Sequence, residues 1–132
     1  MNRSVPVALV CAAALTILIV LSGCVSREAR EMRNLRIEDI DVMKIPDGTY
    51  VGKYGYDELV YTAKLEVEDG RIEWIRIEEN KPSPRSDWAE EIPKRVIEAN
   101  STQVDVVSGA TAGSKAVLKA IELALKAGAR LR

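Results

Sequence analysis

The chain has 132 residues, 47% of them hydrophobic and 30% charged, with a net charge of −1. That composition fits one globular domain and gives no electrostatic reason for a polyanionic partner such as nucleic acid. It has no histidine and two cysteines, Cys11 and Cys24, which excludes His-based triads and zinc or haem ligation by histidine.

After a single positive charge at Arg3, an almost unbroken apolar stretch runs from Val5 to Val20, the pattern of a secretory signal. Counted to Leu21 it approaches the roughly 20 apolar residues of a bilayer span, so an uncleaved anchor is the alternative. Its ending, Leu21-Ser22-Gly23-Cys24, resembles the lipobox of bacterial lipoproteins. The resemblance implies cleavage before Cys24 and diacylglycerol on its thiol, with residues 1–23 as signal peptide. Lipid anchoring contributes about 0.8 kcal/mol per buried methylene. The expected location is the outer face of the cytoplasmic membrane or the periplasm. With Cys11 removed and Cys24 lipidated, no thiol is left for a disulfide or a metal.

Residues 24–45 comprise this cysteine and a charged, weakly patterned stretch that reads as a tether. Residues 46–132 read as the domain. Pro46-Asp47-Gly48 is a turn signal, and Thr49-Tyr50-Val51 is β-prone. Gly52 and Gly55 then mark places where the backbone bends or is closely approached. Two alternating runs, Val60–Glu68 and Ile72–Glu78, flank Asp69-Gly70, the strongest short hairpin signal. Tyr61, Leu65, Val67, Ile72, Trp74, Ile75 and Ile77 are the expected sheet core.

The prolines of residues 81–87 demand a loop, after which Ser86 or Asp87 can cap a helix bearing Trp88, Ile92, Val96 and Ile97 on one face. Pro93 predicts that this helix is bent or in two parts. A second helix is predicted from Gly113 to Lys126, with Val117, Ala120, Ile121, Ala124 and Leu125 as its buried stripe and Gly128 as its C-terminal cap. The fold class is α+β: a small antiparallel sheet, formed by a long hairpin plus short strands, with two helices packed on it.

Between strand and helix lies Asp105-Val106-Val107-Ser108-Gly109-Ala110-Thr111. Gly109 permits positive φ and leaves the backbone bare. The helix N-terminus favours an anion, and Thr111 and Ser114 add hydroxyls there. The plainer reading is that Ser108 or Thr111 caps the helix and Gly109 turns the chain. Spacing alone leaves both open.

This segment matches the flavinylation motif Asp-x-x-(Ser/Thr)-Gly-Ala-Thr, and by it the chain resembles the FMN-binding domain family. Larger relatives in that family include the C subunit of the sodium-pumping NADH:quinone oxidoreductase and the G subunit of the Rnf complex. Three further features run in the family's order. They are Asp47-Gly-Thr-Tyr-Val-Gly52 with the Gly55-Tyr56 loop, the Asp-Gly hairpin, and Ile92-Pro93 ahead of the motif.

The resemblance implies that a magnesium-dependent flavin transferase moves FMN from FAD onto Thr111 as a phosphoester. Asp105, Ser108, Gly109, Ala110, Ser114 and Tyr56 are the further implied cofactor-binding positions. Gly113 stands where relatives often have a second hydroxyl, so the phosphate relies on backbone N–H groups and Ser114. The implied function is a membrane-tethered extracytoplasmic electron carrier between a membrane donor and an extracytoplasmic acceptor. The alternatives are an FMN-bearing subunit of a larger reductase or ion-pumping complex, and a flavin-free lipoprotein adaptor. No cluster of acid, base and nucleophile supports turnover of its own, so the chain reads as an electron-transfer protein more than an independent enzyme.

Overall fold

In the computed structural model, which describes residues 30–56, 58–81 and 87–131 apart from the side chains of Tyr56 and 87–89, Asp69 and Gly70 both take positive φ, 49° and 72°. They form the two-residue loop that joins β2 (Leu59–Glu68) to β3 (Arg71–Glu79). Positive φ at both central residues is what a type I′ hairpin requires, and Asp-Gly supplies it cheaply. β1 (Gly48–Tyr56) pairs antiparallel with β2, giving a three-stranded sheet in the order β1-β2-β3. β1 is nine residues long and passes through Gly52 and Gly55 instead of stopping at Val51.

Cross-strand register sorts the sheet into two faces. On one lie Tyr50 with Leu65 and Ile75, Gly52 with Ala63 and Ile77, and Tyr54 with Tyr61 and Glu79. The other carries Thr49 with Glu66 and Trp74, then Val51 with Lys64 and Arg76. A bulge at Glu66/Val67 pairs Val67 with Ile72 and leaves Glu73 unpaired. It lets Ile72 share a face with Ile75 although their separation is odd. Trp74 therefore moves out of the predicted core. It is half-buried on the outer face, where its indole N–H donates to the Glu66 carboxylate.

Two helices cover the first face. α1 (Asp87–Ala99) runs through Pro93 as one helix, with Ile92 and Val96 fully buried. The proposed Ser86 cap lies outside the described residues. α2 (Thr111–Ala129) starts earlier and ends later than predicted, and its C-cap is Arg130. Gly128 is an interior position. A Cβ there would stand 2.6 Å from Ile45 Cγ2 and 2.8 Å from Tyr50 Cζ, so the residue lets the helix lie against those side chains. Val117, Ala120, Ile121, Ala124 and Leu125 are buried as the stripe predicts. Each large one contributes about 1.5–3 kcal/mol.

These contacts fix direction. α2 lies over Tyr50 at Gly128 and over Gly52 at Ala120 and Ala124, so it runs antiparallel to β1. At the hairpin end, Asn100 follows α1, receives the Ile72 N–H at 3.0 Å and donates to Gly70 O at 3.0 Å. α1 thus runs antiparallel to β3. Both helix N-termini, the β1–β2 turn and the end of β3 gather at the opposite end of the sheet.

The chain divides into two compact units, Met1–Asn34 and Leu35–Arg132. Of the first, residues 30–34 form a helical turn in which the Asn34 N–H donates to Arg30 O at 3.2 Å. Cys24 and the apolar segment before it lie outside the described residues. Among those described, no helix is long and apolar enough to cross a membrane. Residues 35–45, read from sequence as the end of the tether, belong to the domain unit. Val42 and Ile45 are buried, and Thr102 Oγ1 and Gln103 Nε2 donate to Glu38 O and Ile37 O at 2.8 and 3.1 Å.

Candidate functional site

Val107, Ser108, Gly109 and Ala110 form a turn closed by the Ala110 N–H donating to Val107 O at 3.0 Å. Gly109 sits third in it with φ +81°, the conformation a type II turn demands at that place and that glycine takes without strain. A Cβ built on Gly109 meets nothing within 4 Å, so the space above this backbone is open.

The turn delivers the chain into α2. Ala110 is the N-cap, and no side chain bonds the helix start. Ser108 and Thr111 therefore do not cap the helix, the plainer of the two sequence readings. The first turn also contains no acid, so the positive end of the helix dipole meets no carboxylate from its own first turn. N–H groups without a side-chain cap and a helix start without an acid of its own are what an anionic phosphate would satisfy. Thr111, the first helical residue, is half-buried, with its hydroxyl at the same corner.

Ser114 is fully buried, and its Oγ accepts the Val107 N–H at 3.1 Å. It fixes the turn against the helix from beneath, which places it as a positioning residue for the corner. Ser114→Ala is expected to cost about 1 kcal/mol, one hydrogen bond to a buried hydroxyl. Faster hydrogen exchange at the Val107 amide would report it.

Asp105 and Ser108 are exposed, and Ala110 is half-buried. Tyr56 ends β1 opposite Leu59, at the same end of the sheet as the corner. Its side chain lies outside what is described.

Sequence reasoning missed Arg95. From α1 its Nη1 donates to Asp105 O at 2.8 Å and to Val106 O at 3.4 Å, while its Nε pairs with Glu91 at 3.1 Å. It thereby holds the approach to the turn, residues 103–107, which are irregular and not the strand that the sequence suggests before the motif. The Glu91-to-Arg95 spacing signals only a helix pair, and no local pattern announces the longer contact. Asn80 was also missed. Its Oδ1 accepts the Val60 N–H at 2.7 Å and its Nδ2 donates to Glu58 O at 2.8 Å, tying the β1–β2 turn to the end of β3. A groove of about 640 Å³ between α1 and residues 103–105 is lined by Arg95, Glu98, Ala99, Gln103, Val104 and Asp105. It lies on the flank and includes none of Ser108 to Thr111.

A family model described as an FMN-binding domain matches residues 55–126, more than half of the chain. The chain belongs to the FMN-binding domain family. No curated protein and no solved structure matches it. The matched span begins at Gly55, late in β1, and ends in α2, so it contains Tyr56, the turn and the helix start. FMN is the cofactor that this family membership assigns, and the corner fits its phosphate: open space over Gly109, an uncapped helix and a hydroxyl at Thr111.

Proposed function

We propose that this FMN-binding chain is a membrane-tethered electron carrier facing the outside of the cytoplasmic membrane, with its FMN joined through the phosphate to Thr111. One observation carries the reading: α2 begins at Thr111 with no side-chain cap and no acid in its first turn. The positive helix end is therefore left for the phosphate.

In the attachment step the Thr111 Oγ forms a bond to the FMN phosphorus of FAD, and the bond from that phosphorus to the AMP oxygen breaks. AMP leaves, and the hydroxyl proton passes to solvent. A flavin transferase supplies the FAD and the catalysis. Thr111 contributes the acceptor oxygen, Gly109 the bare approach, and Ser114 the support beneath the turn. Bound flavin supplies one- and two-electron chemistry. The protein holds it at the end of the sheet where the β1–β2 turn and both helix starts meet.

Lipid on Cys24 would keep the domain at the membrane surface, between a membrane electron donor and an extracytoplasmic acceptor. Covalent attachment suits that setting, where a dissociable cofactor is lost by dilution.

Intact mass of mature protein co-expressed with a flavin transferase tests the reading. Wild type should gain the mass of one FMN less water, with in-gel flavin fluorescence, and Thr111→Ala should gain none. Wild type that stays unmodified beside a demonstrably active transferase would end the covalent-carrier reading.

A further inference from the structure

At the end of the sheet nearest the corner, Tyr54, Tyr61 and Glu79 are cross-strand partners on the helix-covered face. The next rows along that face are Gly52-Ala63-Ile77 and Tyr50-Leu65-Ile75, so Glu79 is a half-buried acid that ends the helix-covered face. Its Oε1 is closed off from solvent, and no hydrogen-bond donor among the described residues reaches it. Lys81, two residues on, is engaged by Glu58. Burial, and then the charge of Glu79, holds the Tyr61 hydroxyl above its ordinary range. The carboxylate is therefore close enough to the phenol for its charge to be felt.

A buried carboxylate oxygen without a donor is costly, and a native structure that keeps one invites a ligand that supplies the donor. The isoalloxazine is a flat aromatic ring with a ring N–H when oxidised and additional ones when reduced. Tyr54 and Tyr61 offer an aromatic row beside the acid, at the same end of the domain as Thr111.

We propose that Glu79 receives a ring N–H of the FMN carried at the corner and that its negative charge sets the flavin's potential. This rests on the carrier reading above. Negative charge beside the ring disfavours the electron-rich reduced form, so the residue lowers the midpoint potential. It also selects the protonated reduced ring, formed by two electrons from the donor and two protons from solvent, over the anion formed with one.

The test is a spectroelectrochemical titration of wild type, Glu79→Gln and Glu79→Asp, each first checked for flavin by intact mass. Glu79→Gln should shift the reduction equilibrium tenfold toward the reduced flavin, about 30 mV upward for a two-electron couple. Glu79→Asp, which keeps the charge, should stay nearer wild type. In flavin-free protein, Tyr61 ionisation, followed by ultraviolet absorbance against a Tyr61→Phe reference, should move to lower pH in Glu79→Gln. Flavin present on all three proteins with equal midpoints overturns the inference, as does an equal shift in both variants. Wild type without flavin overturns the carrier reading and this inference with it, and the mass trace separates that case from the others.

Discussion

Gly52→Ala is expected to lose on the order of 4 kcal/mol of folding stability or more, beyond the usual cost of overpacking a core. A Cβ at Gly52 would lie 2.2 Å from Ala120 O, 2.3 Å from Ala124 N and 2.9 Å from Leu123 C. All three are backbone atoms of α2, so no rotamer change relieves them, and the helix must lift off β1. That lift would open the layer holding Ala63, Leu65, Ile121 and Leu125, each fully buried. Gly55 provides the control within the same strand. Its added Cβ finds only Val60 Cγ2 at 3.8 Å and Leu59 O at 3.9 Å, ordinary contact distances. Gly55→Ala should therefore be neutral or stabilising by up to about 1 kcal/mol, through lost freedom in the unfolded chain. Urea unfolding of the pair decides it. A Gly52→Ala midpoint equal to wild type at unchanged slope would show that the helix does not rest on this strand.

The two glycines also show where sequence reading stops. Their presence marked β1 as a place of close approach or bending, but nothing local distinguishes the glycine beneath a helix from the one beside open space. That difference is made by Ala120 and Ala124, which are distant in sequence. The hairpin was legible to the residue because Asp69-Gly70 carries its own backbone preference. The core parity of β3 was not, since the bulge at Glu66/Val67 adds a residue and sends Trp74 to the outer face.

At the candidate site, the motif residues were legible as a string, and the structure adds that Ala110 is the cap and that Ser114 supports the turn from below. Glu79 left a trace in the alternation, an acid continuing the Ile75 and Ile77 face. It could not be told from a strand-end charge without knowing that the helices cover it. Residues 35–45 looked like a tether because their charges are patterned for no element of their own. Their partners are on α2 and on residues 101–103.

Those partners set up the second large effect. Glu122 is 0% exposed, yet its carboxylate accepts from Lys119 Nζ at 2.9 Å, Lys126 Nζ at 2.8 Å and the Glu38 N–H at 3.0 Å. Lys126 also pairs with Glu38 at 2.9 Å, and Lys119 Nζ donates to Arg36 O at 3.2 Å. Burial alone pushes the Glu122 carboxyl up. The bonds from Lys126, Lys119 and Glu38 outweigh it and hold the group below its ordinary 4.5. Lys126 is raised above 10.5, chiefly by its bonds to Glu122 and then Glu38.

Glu122→Gln should cost about 2 kcal/mol at neutral pH, the value of a hydrogen bond to a charged group. Because the folded carboxyl is depressed, its contribution is fully present above 4.5 and fades as pH falls through the lower folded value. The deficit of Glu122→Gln relative to wild type should therefore shrink on acidification below that point. The Lys126 contribution runs the other way, present below 10.5 and fading as pH rises past the folded value. Since Glu38 is bonded by both groups, the same variant should speed hydrogen exchange at its amide and release residues 36–39 from α2. Denaturant titrations of both proteins from neutral pH to below 4.5 measure the convergence. A deficit constant over that range would show that Glu122 stabilises by packing and not by charge.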